Sequence, residues 1–160
     1  VIVARNSSNT IVYPPVKNIH KESILRETIF PAKIDNHLKQ SAIEKATYIS
    51  ENLDLNGILA VEMFITDKDK ILINELAPRP HNSGHWTMDA CKFSQFDNLV
   101  SIINCNEVYE PEPYRNCKMI NIIGEEYMSL KTIKKNFKTY DYFKTNVKSN
   151  RKMGHYVLFE

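Results

Sequence analysis

The sequence predicts an α+β fold, an antiparallel sheet with helices packed against it. Three observations predict it. Asp35–Leu53 carries one long apolar stripe at helical spacing. Ile58–Thr66 and Ile71–Ala77 read as two strands joined by the polar stretch Asp67-Lys68-Asp69-Lys70. Shorter strand patterns recur near the C-terminus, at Met119–Ile123, Tyr140–Phe143 and His155–Phe159.

The elements follow in order. Val1-Ile2-Val3-Ala4 reads as a buried strand, and an apolar run opening the chain suggests a piece of something larger. Ser7-Ser8-Asn9 is a turn and Thr10–Tyr13 a second strand, which Pro14-Pro15 ends because neither proline can donate to a ladder. Residues 16–33 show no clean period and read as irregular chain or an edge strand. In the helix that follows, Asp35 can cap the start, Leu38, Ala42, Ala46, Ile49 and Leu53 share a face, and Asn56-Gly57 is the stop signal. After the hairpin, residues 78–85 form a Pro/Gly/Asn loop. Residues 86–105 read as one or two helices with Trp86 packed on the following one, and 126–138 as a short helix. Two prolines in the polar stretch Glu107–Pro113 place a boundary near residue 110. Tyr13 and Phe64 are core candidates, and His37 and His155 have no visible partner.

Composition narrows the classes. The chain has 160 residues, 42% hydrophobic and 25% charged, ordinary values for a globular protein. A net charge of +2 is too small to imply nucleic acid. No apolar run approaches the ~20 residues that span a bilayer, and residues 1–30 lack a secretory pattern. Cys91, Cys105 and Cys117 have no metal-like spacing and read as reduced thiols in a cytoplasmic protein.

The hairpin carries the first chemical signal. A turn centred between Lys68 and Asp69 sets Glu62 directly opposite Glu75. Facing residues have Cβ atoms ~4.5–5.5 Å apart, where like charges repel. A divalent cation would give two such carboxylates a purpose, since Mg²⁺ takes oxygen ligands and is commonly shared with substrate phosphates. A register slipped by one residue would instead turn one Glu to solvent, and no glycine pins the turn.

The second signal is the loop Ala77-Pro78-Arg79-Pro80-His81-Asn82-Ser83-Gly84-His85. Two prolines stiffen the backbone about Arg79, whose fork suits carboxylate, bicarbonate or phosphate. Alternatively, Asn82 or Ser83 merely caps the next helix.

Together, Asn74-Glu75-Leu76-Ala77-Pro78-Arg79-Pro80-His81-Asn82-Ser83-Gly84-His85-Trp86-Thr87 and Ser94-Gln95-Phe96 resemble the signature of 5-(carboxyamino)imidazole ribonucleotide synthases, members of the ATP-grasp superfamily. Supporting matches are Tyr13-Pro14, Asn18-Ile19-His20, Ile24-Leu25-Arg26, Glu62, Met119–Gly124 and Arg151-Lys152-Met153-Gly154-His155. The resemblance implies ATP-dependent carboxylation of aminoimidazole ribonucleotide by bicarbonate, through a carboxyphosphate. It implies that Glu62 and Glu75 hold Mg²⁺ on the ATP phosphates, and that His20 and Asn74 contact the nucleotide. Arg79 would be the catalytic residue that holds bicarbonate, and His81, Asn82 and Ser83 would face the ribonucleotide or product.

From Lys131 to Glu160 there are eight Lys/Arg against two acids. Such a run is ordinarily a solvated face. The resemblance adds that Lys144, Arg151 and Lys152 bind the substrate's 5′-phosphate, and leaves Lys131–Lys138 as surface.

The resemblance covers this chain but only about the last half of the family's. It implies that residues 1–110 are the second half of an ATP-grasp domain and residues 111–160 a small β-rich C-terminal domain. The family's N-terminal domain and phosphate-covering lid are not matched, so partners would include the missing N-terminal half or a second copy. Lys17 and Pro80 depart from the family pattern without removing a ligand. Two rival readings remain at this point: another ATP-grasp carboxylase or purine ligase, and a non-catalytic, partner-binding remnant.

Overall fold

The computed structural model describes residues 1–160. Its strands are β1 (Ile2–Arg5), β2 (Thr10–Val12), β3 (Lys17–Lys21), β4 (Ile24–Phe30), β5 (Gly57–Ile65), β6 (Ile71–Ala77), β7 (Cys117–Ile123), β8 (Lys138–Asp141) and β9 (Lys152–Phe159). Its helices are α1 (Asn36–Asn52), α2 (Thr87–Ala90), α3 (Gln95–Cys105) and α4 (Leu130–Asn136). The strands form two antiparallel sheets, β2-β1-β5-β6 and β3-β4-β7-β9-β8. This is the α+β class the sequence predicts.

Strand β1 and residues 58–61 of β5 are covered on both faces, which explains their unbroken apolar runs, whereas β6 is largely exposed. Val3, Leu59 and Val61 pack on Ala46 and Ile49 of α1. Ile2, Ala4, Ile58 and Ala60 pack on Leu99 and Ile102 of α3. The alternation of side chains along each strand does the sorting. Helix α1 buries Leu38, Ala42 and Ala46 as its pattern predicts, but Leu53 is an exposed C-cap and the Asp35 side chain makes no capping bond. Its stop differs from the expectation. Asp54 takes the left-handed conformation at φ 46° just beyond the helix, while Gly57 already belongs to β5.

The second sheet joins distant parts of the chain. Glu27 to Phe30 of β4 pair with Ile120 to Cys117 of β7, so a ladder of hydrogen bonds runs past residue 110. Residues 16–33, read as irregular chain or an edge strand, form the edge strand β3 and a second strand, β4, inside the sheet. Their two-residue turn places Glu22 (φ 52°) and Ser23 (φ 60°) in the left-handed region. Such turns ordinarily announce themselves with Asn-Gly or Asp-Gly, and this one does not. Trp86 shares a core cluster with Ala90 of the following helix α2, and its ring also stacks on Phe30, centroids 4.3 Å apart, against the second sheet. Phe64 is 57% exposed rather than in the core, whereas Tyr13 is fully buried. No helix is long and apolar enough to cross a membrane.

Candidate functional site

The hairpin builds the centre of the site. Ala60 pairs with Ala77, Val61 with Leu76 and Glu62 with Glu75. Beyond Glu62 the register shifts, so Met63 faces Ile73 and Asn74 is left over as a bulge. The turn closes with Asp69 N–H donating to the Thr66 carbonyl, and Asp69 at φ 52°. The outer hairpin is thus one residue out of step with the turn centre read from sequence. The bulge restores the step where the glutamates are, and bulges are common beside functional sites.

Around this pair the structure gathers other polar groups. Asn74 Nδ2 donates to Glu62 Oε2 over 3.5 Å. His81 Nε2 lies 3.7 Å from Glu62 Oε1. One ligand atom from each of Glu62, Glu75 and His81 falls within 4.8 Å of the other two. These groups line a polar cleft of about 470 Å³ with His20, Ser23 and Lys152. A more apolar cleft of about 420 Å³, with Val16, Ile34, Met63 and Ile71 on its walls, shares His20, Glu62, Phe64 and Asn74 with it.

The imidazole of His81 is held in one tautomer. Its Nδ1 accepts from Ser83 N–H at 3.3 Å, with the Ser83 hydroxyl 2.8 Å away. An accepting Nδ1 leaves the proton on Nε2, aimed at Glu62. In this state Nε2 carries a proton 3.7 Å from the Glu62 carboxylate and offers a cation no lone pair. Two oxygen donors therefore remain for a cation, a set that suits a hard ion such as Mg²⁺.

Electrostatics follow from burial. Burial pushes Lys152 below the usual lysine range, while Glu62 pulls it back up. Burial likewise lowers His81, with Glu62 opposing and Arg79 and Lys152 adding to the shift. Lys144 is lowered by burial and by Arg151.

The remaining predicted residues sit around this centre rather than on its walls. Arg79 is exposed, and its Nη1 donates to the Pro80 carbonyl at 3.1 Å. Asn82 Nδ2 donates to Asn121 Oδ1 on β7 at 3.0 Å, and Asn82 Oδ1 is buried without a partner. Ser83 is buried and engaged with His81. Lys144 Nζ donates to the Lys152 carbonyl at 2.6 Å, and Arg151 Nη1 to the Asn146 carbonyl at 3.1 Å. Lys144 and Arg151 thus share the turn before β9, while the Lys152 side chain reaches the carboxylate cleft.

The sequence reading missed a buried network. The Tyr142 hydroxyl lies 3.1 Å from His85 Nδ1 and 2.9 Å from His155 Nδ1, so His155 does have a partner. It also missed Gln95, which grips the main chain of His81. Only the Ser94-Gln95-Phe96 match pointed there, and it gave no role.

Comparison with known proteins defines the class. The ATP-grasp domain profile matches residues 1–96, and the phosphoribosylaminoimidazole carboxylase C-terminal domain profile matches residues 117–160. The chain belongs to the ATP-grasp family, in its N5-carboxyaminoimidazole ribonucleotide synthase branch. A relative of that name from Bacillus subtilis is 38% identical over all of this chain and 43% of its own length. An ADP complex of an N5-carboxyaminoimidazole ribonucleotide synthetase superposes with TM-score 0.93 at 43% identity, over 99% of this chain and 43% of that one. The Aspergillus clavatus synthase, solved with ADP and 5-aminoimidazole ribonucleotide, gives 0.92 at 30% identity, over 99% of this chain and 45% of that one. The chain spans less than half the length of the relatives it matches.

Proposed function

We propose that this chain supplies the carboxylate pair and the substrate-facing side of a complete enzyme that couples ATP cleavage to carboxylation of 5-aminoimidazole ribonucleotide by bicarbonate, in purine biosynthesis. The observation that carries this reading is the bulged register that holds Glu62 against Glu75, beside His81 and Lys152, in one polar cleft. The apolar cleft would take the base of ATP, with His20 and Asn74 at its junction with the polar cleft.

Glu62 and Glu75 would hold Mg²⁺, which would neutralise the phosphate charge of bound ATP. Arg79 leaves most of its guanidinium without a protein partner and would bind bicarbonate, keeping its oxygen in line with the γ-phosphorus. Bicarbonate oxygen forms the new P–O bond as the bond to ADP breaks, giving carboxyphosphate. The ribonucleotide amine then takes the carboxyl carbon, releasing phosphate. His81 and Asn82 would orient the ribonucleotide, with Ser83 fixing the His81 ring. Lys144, Arg151 and Lys152 would bind its 5′-phosphate.

We also read residues 1–110 and 111–160 as two units, on the strength of the proline-bearing linker, although the β4–β7 ladder makes them share a sheet. The partner would be the remaining segment of the family's chain or a second copy, and the enzyme would work in the cytoplasm.

The test is phosphate release from Mg-ATP that depends on both bicarbonate and the ribonucleotide, with the remaining segment supplied in trans. Activity that is lost in Glu75→Gln supports the reading. No activity from a folded wild-type chain with its complement refutes it and favours a non-catalytic remnant.

A further inference from the structure

We infer that Gln95 is a positioning residue for the substrate loop, clamping the main chain of His81 so that its imidazole stands against Glu62. Gln95 is the first residue of α3 and is fully buried. Its Oε1 accepts from His81 N–H at 2.9 Å, and its Nε2 donates to the His81 carbonyl at 2.8 Å. A primary amide that satisfies both main-chain groups of one residue fixes that residue's position and orientation together.

The clamp is itself anchored. Gln95 N–H donates to Thr87 Oγ1 at 3.1 Å, and that hydroxyl donates to the Gly84 carbonyl at 2.6 Å. The loop is therefore held at His81 and at Gly84 from one helix end. The α3 terminus is closed by a reciprocal Ser94–Asp97 capping box. One turn on, Asn98 ties α3 to Tyr13 and Tyr109. The sequence at position 84 is also explained. A Cβ there would lie 2.6 Å from Gln95 Oε1, so only glycine leaves room for the amide.

This geometry reaches the site in two steps. The clamp sets the His81 main chain, and Ser83, two residues on, sets the His81 ring. Gln95 touches no cleft-lining carboxylate, so its effect passes through His81.

The inference rests on the proposed function, and its test separates the two. In the complemented enzyme, Gln95→Leu and Gln95→Met both remove the two bonds to the His81 main chain, the second while keeping the length of the side chain. Each is expected to lower kcat/KM for the ribonucleotide about 10- to 100-fold per folded molecule, as small misplacements of reacting groups do, with KM for Mg-ATP little changed. Asn98→Asp, which destabilises the same helix outside the site, serves as the reference. An Asn98→Asp enzyme of matched Tm that loses as much activity would overturn the inference, because Gln95 would then be only structural. Gly84→Ala is expected to lower Tm less in a Gln95→Asn background than in the wild type, and equal losses would count against the clamp.

A readout without activity decides the matter if the functional reading fails. At pH 8 the ¹⁵N shifts of the His81 ring in the 160-residue chain should report a single tautomer with the proton on Nε2. In Gln95→Met they should report a mixture. An unchanged single tautomer would overturn the inference whatever the enzyme does.

Discussion

The two sheets meet at the site with opposite charge. The first presents acid, Glu62 on β5 just past the stretch Ile58–Val61 buried between α1 and α3, and Glu75 on the largely exposed β6. The second presents base, Lys152 at the start of β9 with Lys144 and Arg151 in the turn before it. Its interior is also polar: Asn121, Thr28 and His155 are buried in it. Loop 78–85 ties them together, through Gln95 on the α3 side and through the Asn82–Asn121 bond on β7. The difference teaches a division of labour. The acidic wall comes from one hairpin, which sets Glu62 against Glu75. The basic wall comes from the single turn Lys144 to Lys152, and the strand order of the second sheet carries it to the cleft.

The largest effect should come from breaking the acidic wall. Glu75→Gln leaves Glu62 alone to hold the cation and is expected to cost several kcal/mol of transition-state stabilisation, about 10³-fold or more in phosphate release. Thermal unfolding of the chain should barely change, since Glu75 is exposed. A variant that keeps wild-type activity would show that the pair serves no cation.

The counterpart for the basic wall is a backbone test. Gly124 sits at φ 54°, its N–H donates to the Arg151 carbonyl at 2.9 Å, and a Cβ there would lie 2.4 Å from the Ser149 carbonyl oxygen. Gly124→Ala combines left-handed strain with overpacking against backbone, roughly 2–4 kcal/mol together. Urea unfolding measures it. A loss below ~1 kcal/mol would show that the Ser149–Arg151 turn adapts freely, and that the basic wall is not held at this point.

Lys152→Met sharpens the contrast of roles. A charge-assisted contact to a substrate phosphate is worth about 1.5–3 kcal/mol, so KM for the ribonucleotide should rise about 10- to 100-fold while KM for Mg-ATP stays near wild type. Steady-state kinetics with each substrate varied would show it. A rise for ATP instead would move Lys152 to the nucleotide side of the cleft, where Glu62 already influences its charge.

The walls were not equally legible in the sequence. The acidic one was, because a hairpin places residues by simple alternation, and Glu62 faces Glu75 despite the misjudged turn. The bulge at Asn74 was invisible, since no glycine marks it. The β3–β4 hairpin that carries His20 was missed because Glu22 and Ser23 take a turn ordinarily written with Asn and Gly. On the basic side, nothing in local pattern could bring Lys152 to Glu62 or Tyr142 between His85 and His155. Those contacts follow from strand order, and only the family resemblance named Lys144, Arg151 and Lys152.

Acid should separate the walls again. Burial, with His155 and His81 adding to it, pushes His85 down to about 3, and burial pushes His155 down to about 4. Both lie below the ~6.5 of an unfolded histidine, so in between the unfolded chain binds protons that the native one does not. The stability of the neutral pair is therefore present above pH 6.5 and lost as pH falls toward 4, by about 1 kcal/mol per histidine for each unit. Amide protection factors, taken relative to the intrinsic rate at each pH, should fall in β7, β8 and β9 between pH 7 and 5 before they do in β1 and β5. An equal fall in both sheets would mean that they open as one unit.

The smallest effect tests how far the acidic wall extends. Phe64 lies two residues beyond Glu62 and is more than half exposed, yet it borders both the apolar and the polar cleft. A large apolar side chain in that position contributes little to the fold, so Phe64→Ala should shift stability by no more than about 0.5 kcal/mol. In the complete enzyme the same ring would cover a bound base, and its removal should raise KM for ATP about 3- to 10-fold, the worth of a partly buried apolar contact. A large stability loss with ATP affinity unchanged would return Phe64 to the core, where alternation alone had put it, and would limit the nucleotide-facing surface of β5 to Glu62 and Met63.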